Sequence, residues 1–205
     1  MKRLTIPISD DDITDLRVGD QVGLTGIMTT ARDAAHKFLV ETYIRVDEPV
    51  EELALYGELT KILDGGAIYH CGPVVAQDDD GAWRFVAAGP TTSIREEVYE
   101  PEVIAHFNVK AVIGKGGMGP NTLKANQVHK AVYLSAIGGA ASLIADSVKE
   151  VVAVYKKDEF GVPEAFWIIR VEDFPAVVTM DAHGQSIHEE VEKESRARLS
   201  ELVAA

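Results

Sequence analysis

The chain has 205 residues, 46% hydrophobic and 26% charged, which are the proportions of an ordinary soluble domain long enough to bury a core. A net charge of −13 without a basic stripe excludes a nucleic-acid surface, and no apolar run approaches the ~20 residues of a membrane span. The single cysteine, Cys71, excludes an internal disulfide and a cluster held by three or four of the chain's own thiols.

The opening MKRLTIPISDDD turns acidic too early for a secretion signal, so the chain is read as cytoplasmic. Alternation over Leu4 to Ile8 predicts a strand, and Gln21 to Thr25 a second one that closes on Gly26. From Thr30 the period lengthens: Ala31, Ala34, Ala35, Phe38, Leu39 and Thr42 mark a helix face, with Thr29 or Thr30 as N-cap. Glu51 to Leu63 reads as loop and short helix. A strand over Ala67 to Val75, broken at Gly72-Pro73, is followed by an acidic turn and a strand over Trp83 to Ala88.

After Gly89-Pro90, residues Thr91 to Ser93 open a helical stretch, Ile94 to Phe107. A buried-type strand, Ala111 to Ile113, empties into GKGGMGP. Helices over Asn121 to Lys130 and Ala140 to Val148 flank a strand at Ala131 to Ala136. Three further strands follow, Val151 to Lys156, Ala165 to Val171 and Ala176 to Asp181. Ser186 and Glu189 form a capping box ahead of a charged amphipathic helix. This interleaving predicts an α/β fold with mixed sheets and flanking helices, one domain over 1–205 with 186–205 peripheral.

In so acidic a chain an anion site must be built from a few placed cations and backbone N–H groups. Three segments offer that. In TGIMTTARDAAH a strand ends beside Arg32, with Asp33 flanking and His36 one helical turn on. In AAGPTTSIREE, Thr91, Thr92 and Ser93 precede Arg95, one turn after Thr91. In AVIGKGGMGP, Lys115 stands among Gly114, Gly116, Gly117 and Gly119, where backbone can approach a ligand closely. The third is not a Walker A loop, because glycine follows the lysine, and it lacks the acidic partner of a dinucleotide fingerprint. Against the first two stands the plain alternative of surface arginines and an ordinary cap. For Cys71 the plain reading is a small buried hydrophobe. Two arginines and a lysine around small polar groups suit a compact dianion such as a dicarboxylate.

GPTTSIR, VIGKGGMG, VYLSAIGGAA and PEAFWIIRVEDFPAVVTMDAHG, with TARDAAH and YHCGPVV, resemble the C-terminal, or beta, part of class I fumarases and L-tartrate dehydratases. The resemblance runs from about Val18 to about Gly184 and departs at Glu96, where many members carry methionine. It implies a swivelling β/β/α domain and a hydro-lyase interconverting a 2-hydroxy dicarboxylate and its unsaturated product. It also implies a [4Fe–4S] cluster held by a cluster-bearing alpha subunit and not by this chain. Arg32, Arg95 and Lys115 would bind carboxylates, with Ser93 and Gly116 lining the pocket and Thr91 standing where the C3 proton leaves. Asp33 and His36 would support them from behind. Fumarate and malate are the expected pair, with L-tartrate as alternative. A stand-alone dicarboxylate sensor, and a homodimer when the chain is expressed alone, remain the rival readings of partner and assembly.

Overall fold

The computed structural model describes residues 1–204. Nine strands form: β1 (Lys2–Thr5), β2 (Gln21–Thr30), β3 (Ala67–Tyr69), β4 (Val74–Gln77), β5 (Trp83–Ala87), β6 (Ala111–Gly114), β7 (Val132–Ser135), β8 (Val148–Tyr155) and β9 (Phe166–Met180). Seven of them make one sheet in the order β1-β2-β3-β6-β7-β9-β8, and β9 also pairs with β2. The strands β2, β3, β6 and β7 run parallel; β9 is antiparallel to both β7 and β2 and so closes a ring. The strands β4 and β5 form a separate hairpin. The α/β expectation with mixed sheets holds.

Both faces of the ring are covered. On β3, β6 and β7, Ala67, Tyr69, Ala111, Ile113, Val132 and Leu134 enter one core. Their alternates Ile68, Val112 and Tyr133 enter the other. All are wholly buried, which is why these strands read as continuous apolar runs rather than alternating ones. Against the second core pack α2 (Asp33–Leu39), its π-helical continuation Val40–Ile44, α3 (Leu53–Leu63), α4 (Glu100–Phe107) and α5 (Pro120–His129). The first core is closed by α1 (Asp10–Thr14), the hairpin and α6 (Ala141–Ala145). A one-turn α7 (Lys157–Phe160) precedes β9, and α8 (Ile187–Ala204) ends the described chain. No helix among the described residues is long and apolar enough to cross a membrane.

Several boundaries differ from the sequence expectation, each for a local reason. Gly26 does not end β2 but sits inside it, at φ +137° where the pairing with β9 slips; a Cβ there would lie 2.7 Å from the Ile6 carbonyl. Thr30 is therefore strand and not a helix cap: its hydroxyl donates to the Ala165 carbonyl at 3.2 Å and accepts the Trp167 N–H at 3.1 Å. The helix starts at Asp33, after Arg32 in extended conformation. The stretch from 94 to 107 splits into a 3-10 turn, Ser93–Val98, and α4, with Pro101 in the first turn of α4, where a missing N–H costs nothing. The two strands expected over 165–181 are one, since β9 runs on through Asp173 and Pro175 along β2.

Candidate functional site

Because β2, β3, β6 and β7 are parallel, the loops that leave their C-terminal ends share one rim of the ring, the place where open α/β sheets bind ligands. Arg32 and Asp33 follow β2, His70 to Pro73 follow β3, and Lys115 to Gly119 follow β6. Between β3 and β6 the segment 90–93 enters as a strap. Pro90 bridges Cys71, the Thr91 N–H donates to the His70 carbonyl at 2.7 Å, and the Lys115 N–H donates to the Thr91 carbonyl at 3.1 Å. The Ser93 N–H then donates to the Lys115 carbonyl at 3.0 Å. Three loops distant in sequence are thus stitched together by backbone.

The two arginines on this rim are already engaged with carboxylates. Arg95 is held in a two-bond fork by Asp33, Nε to Oδ1 at 3.0 Å and Nη2 to Oδ2 at 2.9 Å. Arg32 lies 3.2 Å from Glu164 and 4.0 Å from Asp33, so Asp33 stands between the two guanidinium groups. The Nε of Arg32 is buried without a partner, a donor left over for a ligand. Gly72 makes room for it: a Cβ there would come within 2.5 Å of the Arg32 Nη1. Lys115 is exposed, and among the described residues no carboxylate approaches its ammonium within salt-bridge reach. Thr91 is half-buried, and Thr92, at the N-cap of the 3-10 turn, makes no side-chain cap. Gly116, at φ +80°, is exposed next to Lys115.

The rest of the predicted set turns inward. Ser93 is wholly buried; its Oγ lies 2.8 Å from His70 Nδ1 and accepts the Tyr133 hydroxyl at 2.9 Å. His36 is also wholly buried, its Nδ1 3.0 Å from the Arg32 carbonyl and its Nε2 2.9 Å from Glu100 Oε2. It does not share a helix face with Arg32, because Arg32 precedes the helix. The same Glu100 oxygen meets His70 Nε2 at 2.9 Å. Burial alone would raise the Glu100 carboxyl, but the charge and contact of His36, with His70 beside it, hold it down at about 2. Burial would lower His36, and the facing Glu100 charge raises it instead. Glu96 is buried with neither oxygen partnered, and burial raises its carboxyl.

Sequence reasoning missed Glu100, Tyr133, Glu164 and the part played by His70. An acid before a proline and a tyrosine inside an apolar strand carry no local signal; only the fold brings them to the rim. Cys71 is buried, and burial pushes its thiol up to about 12, as the plain reading of a small core residue requires. It offers no thiolate. A cavity of about 880 Å³ lies to one side, lined by Ile94, Met118, Leu123 and the first turns of α8, and it contains none of the three cations.

Comparison with known proteins shows the family. The family described as Fumarase C-terminus matches residues 2–191. A Geobacillus stearothermophilus protein provisionally named fumarate hydratase class I is 50% identical over 97% of this chain, and the chain spans only 36% of that relative's length. The L(+)-tartrate dehydratase subunit beta of Escherichia coli K12 is 39% identical over 98% of the chain and 94% of its own length. A Methanocaldococcus jannaschii protein, provisionally given the same subunit name, is 42% identical over 96% of the chain and 95% of its own length.

Proposed function

The chain belongs to the fumarase C-terminus family, and from that premise we propose that it is the beta-type component of a hydro-lyase acting on a 2-hydroxy dicarboxylate. The observation that carries this is the rim itself. Arg32, Arg95, Lys115 and the Thr91 strap stand together at the strand ends, on an open face that a partner can complete. The relative of which this chain spans 36% holds the remaining length in one polypeptide, while the subunit-named relatives match this chain nearly end to end. We read the rest of the enzyme as supplied by a larger alpha-type component, which the subunit-named relatives favour as a separate partner.

The iron–sulfur cluster expected of such an enzyme does not fit this chain's donors. Its one thiol is buried and protonated, so the cluster belongs to the partner. The role of this chain is to bind, orient and remove a proton. Arg32 and Lys115 take carboxylates. Arg95, with Nε and one Nη2 hydrogen committed to Asp33, aims its remaining donors outward. Holding the carboxylate attached to C3 neutralises the charge that builds on it as the C3 proton is drawn off, while the second carboxylate contact fixes orientation. The Thr91 oxygen takes that proton and the C3–H electron pair becomes the double bond as the C2–O bond breaks; the partner's cluster would supply the Lewis acid that accepts the departing hydroxide. Nearby cations favour the ionised threonine that this step requires.

Fumarate and (S)-malate are the proposed pair, in line with the 50% relative; the subunit-named relatives favour L-tartrate as second reading. Anaerobic co-expression with the larger partner, cluster reconstitution, and assay with (S)-malate, L-tartrate and methyl-substituted malates tests both. Fumarate release from malate is expected. Turnover of tartrate alone selects the second reading, and no turnover with any of them overturns the hydro-lyase assignment.

A further inference from the structure

Beneath the rim lies a continuous series of buried polar side chains that the proton transfer does not itself use. It starts at Tyr133 on β7, whose hydroxyl donates to Ser93 Oγ at 2.9 Å, and passes to His70 Nδ1 at 2.8 Å. From His70 Nε2 it reaches Glu100 Oε2 at 2.9 Å; the same oxygen faces His36 Nε2 at 2.9 Å as a charge contact without hydrogen-bond geometry, and the path ends with His36 Nδ1 on the Arg32 carbonyl at 3.0 Å. Ser93, His36, His70, Tyr133 and Glu100 are all 0% exposed. The hydrogen-bond directions are consistent from Tyr133 to Glu100. A carboxylate accepts only, so His70 Nε2 donates to Glu100; His70 Nδ1 then accepts the Ser93 proton, and Ser93 accepts from Tyr133.

Ser93, the second member, belongs to the strap that carries Thr91, and the far end is the backbone of Arg32. We propose that it is a positioning spine, which fixes the Thr91 strap and the Arg32 loop relative to each other before any ligand arrives. This rests on the hydro-lyase reading above for what the two ends do, not for the spine itself. The packing around Ser93 supports it: a Cβ on Gly114 would fall 1.9 Å from Ser93 Oγ and 3.1 Å from the Tyr133 hydroxyl, so Ser93 has one place to be. A buried hydrogen-bonded run from Tyr133 to Glu100, closed on His36 by a charge contact, restricts geometry more than isolated surface pairs do. Base and clamp belong to different loops, and small misplacement between them costs rate steeply.

The same three ligand atoms of His36, His70 and Glu100 lie within 4.8 Å of one another, so a divalent cation is the competing occupant. Three measurements separate the readings. In the assembled enzyme, Ser93→Ala and His70→Gln are each expected to lower kcat at least tenfold with KM nearly unchanged. The double variant is expected to lose little more, because both break one link. His70→Asn, which keeps the Ser93 bond, should recover part of the loss that His70→Gln shows. Losses that appear wholly in KM, or that simply add, overturn the spine. In the isolated chain, Ser93→Ala should shift the amide resonances of Thr91 and of Arg32 while distant amides stay put; an unmoved Arg32 overturns it. That arm holds even if wild-type turnover fails and the hydro-lyase reading falls. Elemental analysis of the purified chain should find no stoichiometric zinc; one equivalent, lost in His36→Ala, overturns the spine in favour of a metal centre.

Discussion

Thr91 and Glu96 sit five residues apart and show how differently the fold treats two polar side chains. Thr91 stays half-buried in the strap, uncommitted as a cap, while Glu96 is sealed in with both oxygens unpartnered. Thr91→Ala in the assembled enzyme should cut kcat by two orders of magnitude or more, with dicarboxylate affinity within about threefold, since on the proposed reading the arginines and Lys115 grip the carboxylates. Near-normal turnover in steady-state assays would remove Thr91 from the reaction. For Glu96 the expectation concerns stability. Burial raises its carboxyl and leaves two acceptors unsatisfied, and methionine is close to it in shape. Glu96→Met should therefore stabilise the chain by about 1–3 kcal/mol in denaturant melts. The gain should grow with pH: a group whose folded pKa is raised contributes least once solution pH passes that value. A destabilised variant would mean that a group outside the chain satisfies Glu96.

At the scale of elements, Glu100 on α4 joins α2 through His36 and the end of β3 through His70, and this joint sets a pH window. Glu100 is held at about 2 against an ordinary 4.5, so its contribution is whole above 4.5 and fades as pH falls toward 2. His36 is raised above its ordinary 6.5, so its contribution is whole below 6.5 and fades as pH rises through the folded value. Arg32, Asp33, Glu96 and Glu164 surround the joint, and Glu96 adds to the loss on the alkaline side. Thermal melts should thus peak between about 4.5 and 6.5, and Glu100→Gln should flatten both flanks, with about 2–4 °C for each kcal/mol at this chain length. A wild-type profile already flat across that range would deny the joint its charge. The elements themselves were legible where periodicity was unbroken. The helix from Asn121, the buried strand at Ala111 and the hairpin across the acidic turn appear where expected. Reading failed where one residue reversed a local rule. Gly26 is a bulge within β2 and not its end, and Pro175 lies within a strand that continues past it. The cations were legible because charge among glycines in an acidic chain is unusual; Glu100 and Glu164 were not, because acids are common and only three-dimensional closure gave these two a partner.

Taken whole, the molecule separates a ring with a functional rim from a helix that contributes little to either. From Val191 on, every residue of α8 up to Val203 is exposed, and the family match ends at 191. The helix is anchored only near its start, where His188 packs so closely over Gly117 that a Cβ there would touch its ring at 2.4 Å, and where Ser186 Oγ accepts the Glu189 N–H at 3.4 Å. Val191, Leu199 and Leu202 lie apolar and open along it, so little buried area is lost if it goes. Deleting residues 192–205 should therefore leave the melting temperature within about 3 °C and the rim unchanged, because a surface segment that buries nothing carries little of the folding free energy. Cutting instead before Ser186 removes His188 from Gly117, opens the cavity beside Lys115, and should cost far more. Circular dichroism melts of the two truncations decide between them. Equal losses would show that the distal helix, despite its exposure, holds the glycine loop in place.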